Sequence, residues 1–152
     1  MGGTADIRYT SADGRTIVDT KAARIAEKRE FAEQVERLRP RSPVLAGMLA
    51  SFGAAARDPQ NELVHLYEVR EALATELQGS HVAMRILEIP RDNWSRLGEL
   101  CNEEPLRQGR HRGKMGVALR DATHEELEEA RSLARSMLRS YVQRLQAQSG
   151  PV

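Results

Sequence analysis

Between Pro105 and Arg120 the chain runs PLRQGRHRGKMGVALR, a stretch holding Arg107, Arg110, Arg112, Lys114 and Arg120, with His111 among them and no acidic residue. Guanidinium groups suit phosphate, because their planar fork donates in pairs and stays charged at physiological pH. Arg110 and Arg112 flank His111, and like charge on both sides favours the neutral imidazole that a general base needs. Metal-free RNA cleavage requires a base for the 2′-hydroxyl, an acid for the leaving oxygen and cations at the phosphorane. His111 with Arg107 and Arg110 would meet that requirement, and Asn102, just upstream, would add a polar group. Two other uses compete for the same residues. They are plain binding of a phosphate-bearing partner, and a structural role in which the arginines hold helix-end carbonyls and Glu103, Glu104 and Glu125.

Other constellations are less complete. Residues 80–98, SHVAMRILEIPRDNWSRLGEL with its flank, read as a helix-turn-helix in which Arg91, Asp92, Asn93, Ser95 and Arg96 would face a DNA groove. Two short helices joined by a proline turn also occur in any bundle, and Glu88 stands where a small residue is usual. Glu62 and His65 have the spacing of a di-metal carboxylate motif, but the further ligands such a site needs are missing, so no metal or other cofactor is expected. Cys101, the single cysteine, excludes an internal disulfide and reads as a small buried hydrophobe. No phosphate-binding glycine loop, serine elbow or zinc-ligand pattern occurs.

The elements that must position the basic stretch are mostly helical. Residues 7–18 alternate about Asp13-Gly14, the dipeptide of a tight hairpin, and predict a small two-stranded arm. A helix follows from Asp19 or Thr20 to Arg39-Pro40, with Ala22, Ile25, Ala26, Ala32, Val35 and Leu38 marking its core face. Ser42-Pro43 and Asp58-Pro59 each place a capping residue before a proline. They open a small-residue helix over 43–56, in which Gly47, Ala50, Gly53 and Ala54 would allow close packing, and a longer helix ending at Gly79. Ser80 caps a short helix to Leu87, and another runs from about Asp92 to Cys101. Thr123 and Glu126 have capping-box spacing at the head of a final long helix. The fold expected is mainly α, a bundle of about five to six helices with a short N-terminal β-hairpin arm. One domain spans 1–152: an arm over 1–18, N-terminal helices over 19–57 and a helical core over 58–148.

The balance of 23 Lys and Arg against 22 Asp and Glu gives a formal net charge of +1, so attraction for a polyanion must come from local clustering. The 30% charged and 40% hydrophobic residues are those of a folded domain rather than a disordered tail. No apolar run approaches a membrane span, and the N-terminus has no secretory h-region, so a cytoplasmic protein with no membrane partner is expected. Aromatic residues are too few to give several exposed stacking platforms for single-stranded bases.

Taken together, NELVHLYEVREAL, then WSRLGELCN leading into QGRHRG and a long last helix, resembles the HEPN superfamily over residues of about 59–145. Those small helical bundles are common in bacterial defence and toxin–antitoxin systems. The resemblance implies a homodimer, formed through apolar helices such as 43–56 or 59–78, with RNA as the target and a protein antitoxin or regulator as a further partner. Active members are metal-independent endoribonucleases that pair an arginine with a downstream histidine, and Arg107 with His111 makes that pair here at a shorter spacing. The leading expectation is therefore RNA or phosphate binding through the basic loop. The alternatives are ribonuclease action through His111, DNA binding by residues 80–98 and a structural dimerisation module.

Overall fold

A computed structural model of the chain describes residues 5–110, 112 and 118–150. It comprises two compact units, Met1–Arg37 and Leu38–Val152.

In the first unit, strands β1 (Arg8–Thr10) and β2 (Thr16–Asp19) pair antiparallel, with Tyr9 opposite Val18. Gly14 takes φ 81° at the turn, the left-handed conformation for which the Asp-Gly pair is suited. Asp19 then caps α1 (Thr20–Leu38) by accepting from the Ala22 N–H at 2.9 Å. Thr20 ties the hairpin to the helix start, since the Ile7 N–H donates to its Oγ1 at 2.7 Å and the Thr20 N–H donates to the Ile7 carbonyl at 3.0 Å. The expected core face of α1 is not a core. Ala22, Ile25, Ala26 and Ala32 are exposed, Val35 is half-buried, and only Leu38 is buried. Periodicity identified the apolar face, but burial requires a covering element, and none lies over these residues within the unit.

The second unit is a helical bundle of α2 (Pro43–Arg57), α3 (Glu62–Glu76), α4 (Ser80–Ile86), α5 (Arg91–Gly98) and α6 (His124–Ser149). Ser42 caps α2 by accepting from the Leu45 N–H at 3.1 Å. Helix α3 is the centre of the unit and packs against α2, α4, α5 and α6. Its Leu63, Leu66, Val69 and Leu73 are wholly buried, each worth about 1.5–3 kcal/mol of hydrophobic transfer. On α2 the buried residues are Leu45, Met48 and Ala55. Gly47 and Ala50 instead face outward, and a methyl group added at Gly47 would touch nothing within 4 Å. Among the described residues Gly47 and Ala50 therefore make no close helix packing, whereas Gly53 and Ala54 are half-buried.

Two helix ends depart from the usual glycine rule. Gln78 (φ 61°) and Glu88 (φ 53°) adopt the left-handed conformation after α3 and α4. In each case the next N–H reaches back five residues, Gly79 to the Ala74 carbonyl at 2.7 Å and Ile89 to the Met84 carbonyl at 3.0 Å, which makes both ends Schellman motifs. Gly79, not Ser80, occupies the N-cap of α4. Past α5 the chain widens into a single π turn, Glu99–Glu103. The capping box of α6 forms as its spacing predicts, with the Glu126 N–H donating to Thr123 Oγ1 and the Thr123 N–H donating to Glu126 Oε2.

One buried charge crosses the bundle. The Glu62 side chain on α3 is 3% exposed and accepts a forked pair of bonds from Arg131 on α6, one of them 2.9 Å long. Glu128 holds the same guanidinium from outside.

Candidate functional site

The basic stretch is closed at its base. Leu106 and Arg120 form a parallel bridge, with the Arg107 N–H donating to the Arg120 carbonyl and the Arg120 N–H donating to that of Pro105, each at 3.0 Å. Leu106 is fully buried beneath it. Gln108 adds a second closure, because its amide oxygen accepts from the Ala122 N–H at 3.0 Å and its amide nitrogen donates to Asp121. On the other side the Arg110 N–H donates to the Cys101 carbonyl at 2.9 Å. Gly109 is needed there, since a Cβ at that position would stand 3.0 Å from the Cys101 oxygen.

From this base the arginines divide into two sets. Arg110 reaches back to α3, where it bonds Glu71 at 2.7 Å and lies over the Tyr67 ring at 4.6 Å from its centroid. Arg120 forks onto Glu126 at 2.7 and 2.8 Å and lies 3.7 Å from Glu104. That guanidinium, with the Thr123 N–H, holds the Glu126 carboxyl down at about 2. These two arginines are pinned. Arg107 is more open, 61% exposed, with Asp121 at 3.7 Å and the Leu119 carbonyl at 3.3 Å. Arg112 is exposed and bonds the neutral amide oxygen of Asn61. Asn102 stands half-buried on the π turn whose Cys101 carbonyl receives the loop, and among the described residues no hydrogen bond joins it to Arg107. His111 and Lys114 lie outside the described residues.

Sequence reading missed the groups on α3 that organise this region. Arg110, Tyr67, Arg70 and Trp94 form a stack in which Arg70 lies 5.2 Å from the Tyr67 centroid and 5.0 Å from that of Trp94. Arg70 crosses Gly98, where a Cβ would come within 2.6 Å of its Nη1. Its Nε is buried and, among the described residues, has no hydrogen-bond partner, as is also true of the Trp94 indole N–H. A signal existed only for the separate Glu62–Arg131 pair: Glu62, Leu66, Val69 and Leu73 repeat at helical spacing, which places the Glu62 carboxylate on a core stripe that demands a cation.

The remaining candidates separate by environment. On α5, Arg96 is clasped by Glu129 (3.1 Å twice) and Glu99 (3.3 Å) in a cleft of about 410 Å³ that Asp92 also lines. Asn93 is half-buried beside it, so Asp92, Asn93, Ser95 and Arg96, four of the five side chains expected to face a DNA groove, line one cleft with Glu99 and Glu129, while Arg91 lines a different one with His81 and Arg85. His65 bonds Asp58 at 3.2 Å and lies 3.6 Å from Glu68, while Glu62 is committed to Arg131, so the pair shares no ligand position. Among the described residues, no group of three or more His, Cys, Asp or Glu is arranged to hold a metal ion. Cys101 is buried, and burial pushes its thiol up to about 12, far from a thiolate nucleophile. No described helix is long and apolar enough to cross a membrane. Compared with family models, curated proteins and solved structures, the chain matches none.

Proposed function

We propose that this chain is an HEPN-like helical domain that binds RNA, or another phosphate-bearing partner, through the loop between the π turn and α6. The observation that carries the reading is the division among the arginines. Arg110 and Arg120 are bound to carboxylates of the bundle and fix the loop's two ends. Arg107 and Arg112 are exposed and, among the described residues, keep only a weak ion pair or a neutral partner. A loop anchored by one pair of cations and presenting another is preorganised for an anion. Lys114 extends the same positive tract in sequence, and His111 lies between the anchored and the presented arginine. The same reading takes the protein as a homodimer of a bacterial defence or toxin–antitoxin type, with the ribonuclease role of His111 as its enzymatic form.

The test is RNA binding by fluorescence anisotropy across a salt series, with cleavage followed in EDTA. Arg107→Ala with Arg112→Ala is expected to weaken binding and to reduce the salt slope by about 0.7 for each phosphate no longer neutralised. Unchanged affinity would remove the loop from RNA recognition. Cleavage that His111→Ala abolishes would establish the enzymatic form. The Arg110–Glu71 and Arg120–Glu126 bonds favour a second reading, in which the loop locks the bundle. In that case Arg110→Ala lowers the melting temperature while RNA affinity stays absent or unaltered.

A further inference from the structure

The cations left unmatched at the α4–α5 turn contrast with those of the basic loop. His81, Met84, Arg85, Ile89 and Arg91 line an open cleft of about 500 Å³, within the range of small-molecule sites. Among the described residues, neither Arg85, Arg91 nor His81 has a hydrogen-bond or ion-pair partner, whereas Arg96, Arg110, Arg120 and Arg131 all hold carboxylates. Met84 and Ile89 form the apolar part of the lining, and they are the two residues joined by the Schellman bond at 3.0 Å that closes α4. That bond fixes the turn and therefore the spacing of the cleft's walls. Helix α5 starts beside the cleft, since its first residue Arg91 lines it, and Pro90 at its N-cap offers no side-chain oxygen to the first-turn N–H groups. Asp92, the acid of that first turn, lines the separate Arg96 cleft instead.

Two arginines and a helix start favour a phosphate, and an apolar floor beside them favours a flat, weakly polar ring. We propose that this cleft binds one nucleotide unit, its phosphate held by Arg85 and Arg91 and its base laid against Met84 and Ile89. His81 stands at the rim as a hydrogen-bonding group for the sugar or base. The unit comes either from a free nucleotide or from the 5′-phosphorylated end of an RNA strand, since both present the same phosphate and base. The proposal uses no residue of the basic loop and is independent of RNA binding there.

Titration of the full chain with AMP, adenosine and inorganic phosphate by calorimetry tests it. AMP is expected to bind saturably, with adenosine and inorganic phosphate each at least about tenfold weaker, because each offers half of the recognition. Arg85→Ala with Arg91→Ala should weaken AMP by at least about tenfold while leaving the circular dichroism spectrum and melting temperature unchanged, as both side chains are exposed. Arg107→Ala with Arg112→Ala should leave AMP affinity unaltered, which separates this cleft from the loop. Comparing AMP with a 5′-phosphorylated oligoribonucleotide assigns the source: tighter binding of the oligonucleotide points to a strand end, and tighter binding of AMP to a free nucleotide. The proposal is overturned if neither binds saturably at millimolar concentration, if the double variant binds as the parent does, or if inorganic phosphate matches AMP.

Discussion

Ile25 on α1 and Leu73 on α3 both sit on the apolar face of a helix, yet Ile25 is 49% exposed and Leu73 is 0% exposed. The contrast runs through the molecule. Ile7, Tyr9, Ile17, Val18 and Ile25, the large hydrophobic residues exposed among the described ones, all belong to Met1–Arg37. Among the described residues of Leu38–Val152 no large hydrophobic residue is exposed, and α2, α3 and α6 pack on one another. An amphipathic pattern therefore records which side of an element avoids water, and the topology around it decides whether that side is covered.

The sharpest way to break this comparison is a matched pair of truncations. Leu73→Ala should cost about 2–5 kcal/mol of unfolding free energy, because it opens a cavity at a wholly buried position of the bundle's central helix. Ile25→Ala should move stability by less than about 0.5 kcal/mol. Urea denaturation of both variants reads the difference, and equal losses would mean that the apolar face of α1 is covered in solution. The next largest effect concerns charge rather than volume. Arg131→Leu strands the buried Glu62 carboxylate and should cost about 2–3 kcal/mol, toward the low end for a buried pair because Arg131 is 34% exposed. Adding Glu62→Leu should recover most of that loss, and failure to recover would show that the pair does more than cancel its own desolvation.

The smallest effect is one of pH. Glu126 titrates at about 2 in the fold against an ordinary 4.5, chiefly because Arg120 donates to it. Its contribution is complete above about pH 4.5 and is lost as pH falls from there toward 2, since the unfolded chain takes up the proton first. Glu126→Gln keeps the capping-box geometry and removes the charge. Its stability should therefore fall less steeply between pH 4.5 and 2.5 than that of the parent, as followed by thermal melts.

Local signals in the sequence carried most of the second unit. The serine and threonine caps and the helix faces of α3 and α6 all lie within a few residues of the features they specify, as does the hairpin dipeptide in the first unit. The ends of α3 and α4 were harder to read, since Gln78 and Glu88 occupy left-handed positions for which glycine is the usual mark. The organisation of the basic loop was local only in part. Arg120 meets Glu126 six residues on, but Arg110 meets the exposed Glu71 across 39 residues; elsewhere in the bundle Arg131 meets Glu62 across 69, and only Glu62 gives a hint, by standing on a core stripe. The run of arginines marked the region correctly as cationic, but not which members the bundle consumes and which it presents.

Trp94 is the chain's single tryptophan, 2% exposed, with the Arg70 guanidinium against its ring. Arg70 in turn touches Tyr67, and Tyr67 carries Arg110 at the start of the basic loop. The molecule thus has an intrinsic optical reporter at the far end of a short relay of stacked side chains from its most cationic segment. Emission from this one indole comes from a buried setting with a guanidinium against its ring. Any ligand that draws Arg110 away from Tyr67 loosens the support beneath Arg70 and changes the field at the fluorophore. A ligand that displaces Arg110 from Glu71 and Tyr67 is therefore expected to register in the tryptophan emission of unlabelled protein, whereas one held by Arg107 and Arg112 alone should leave it unchanged.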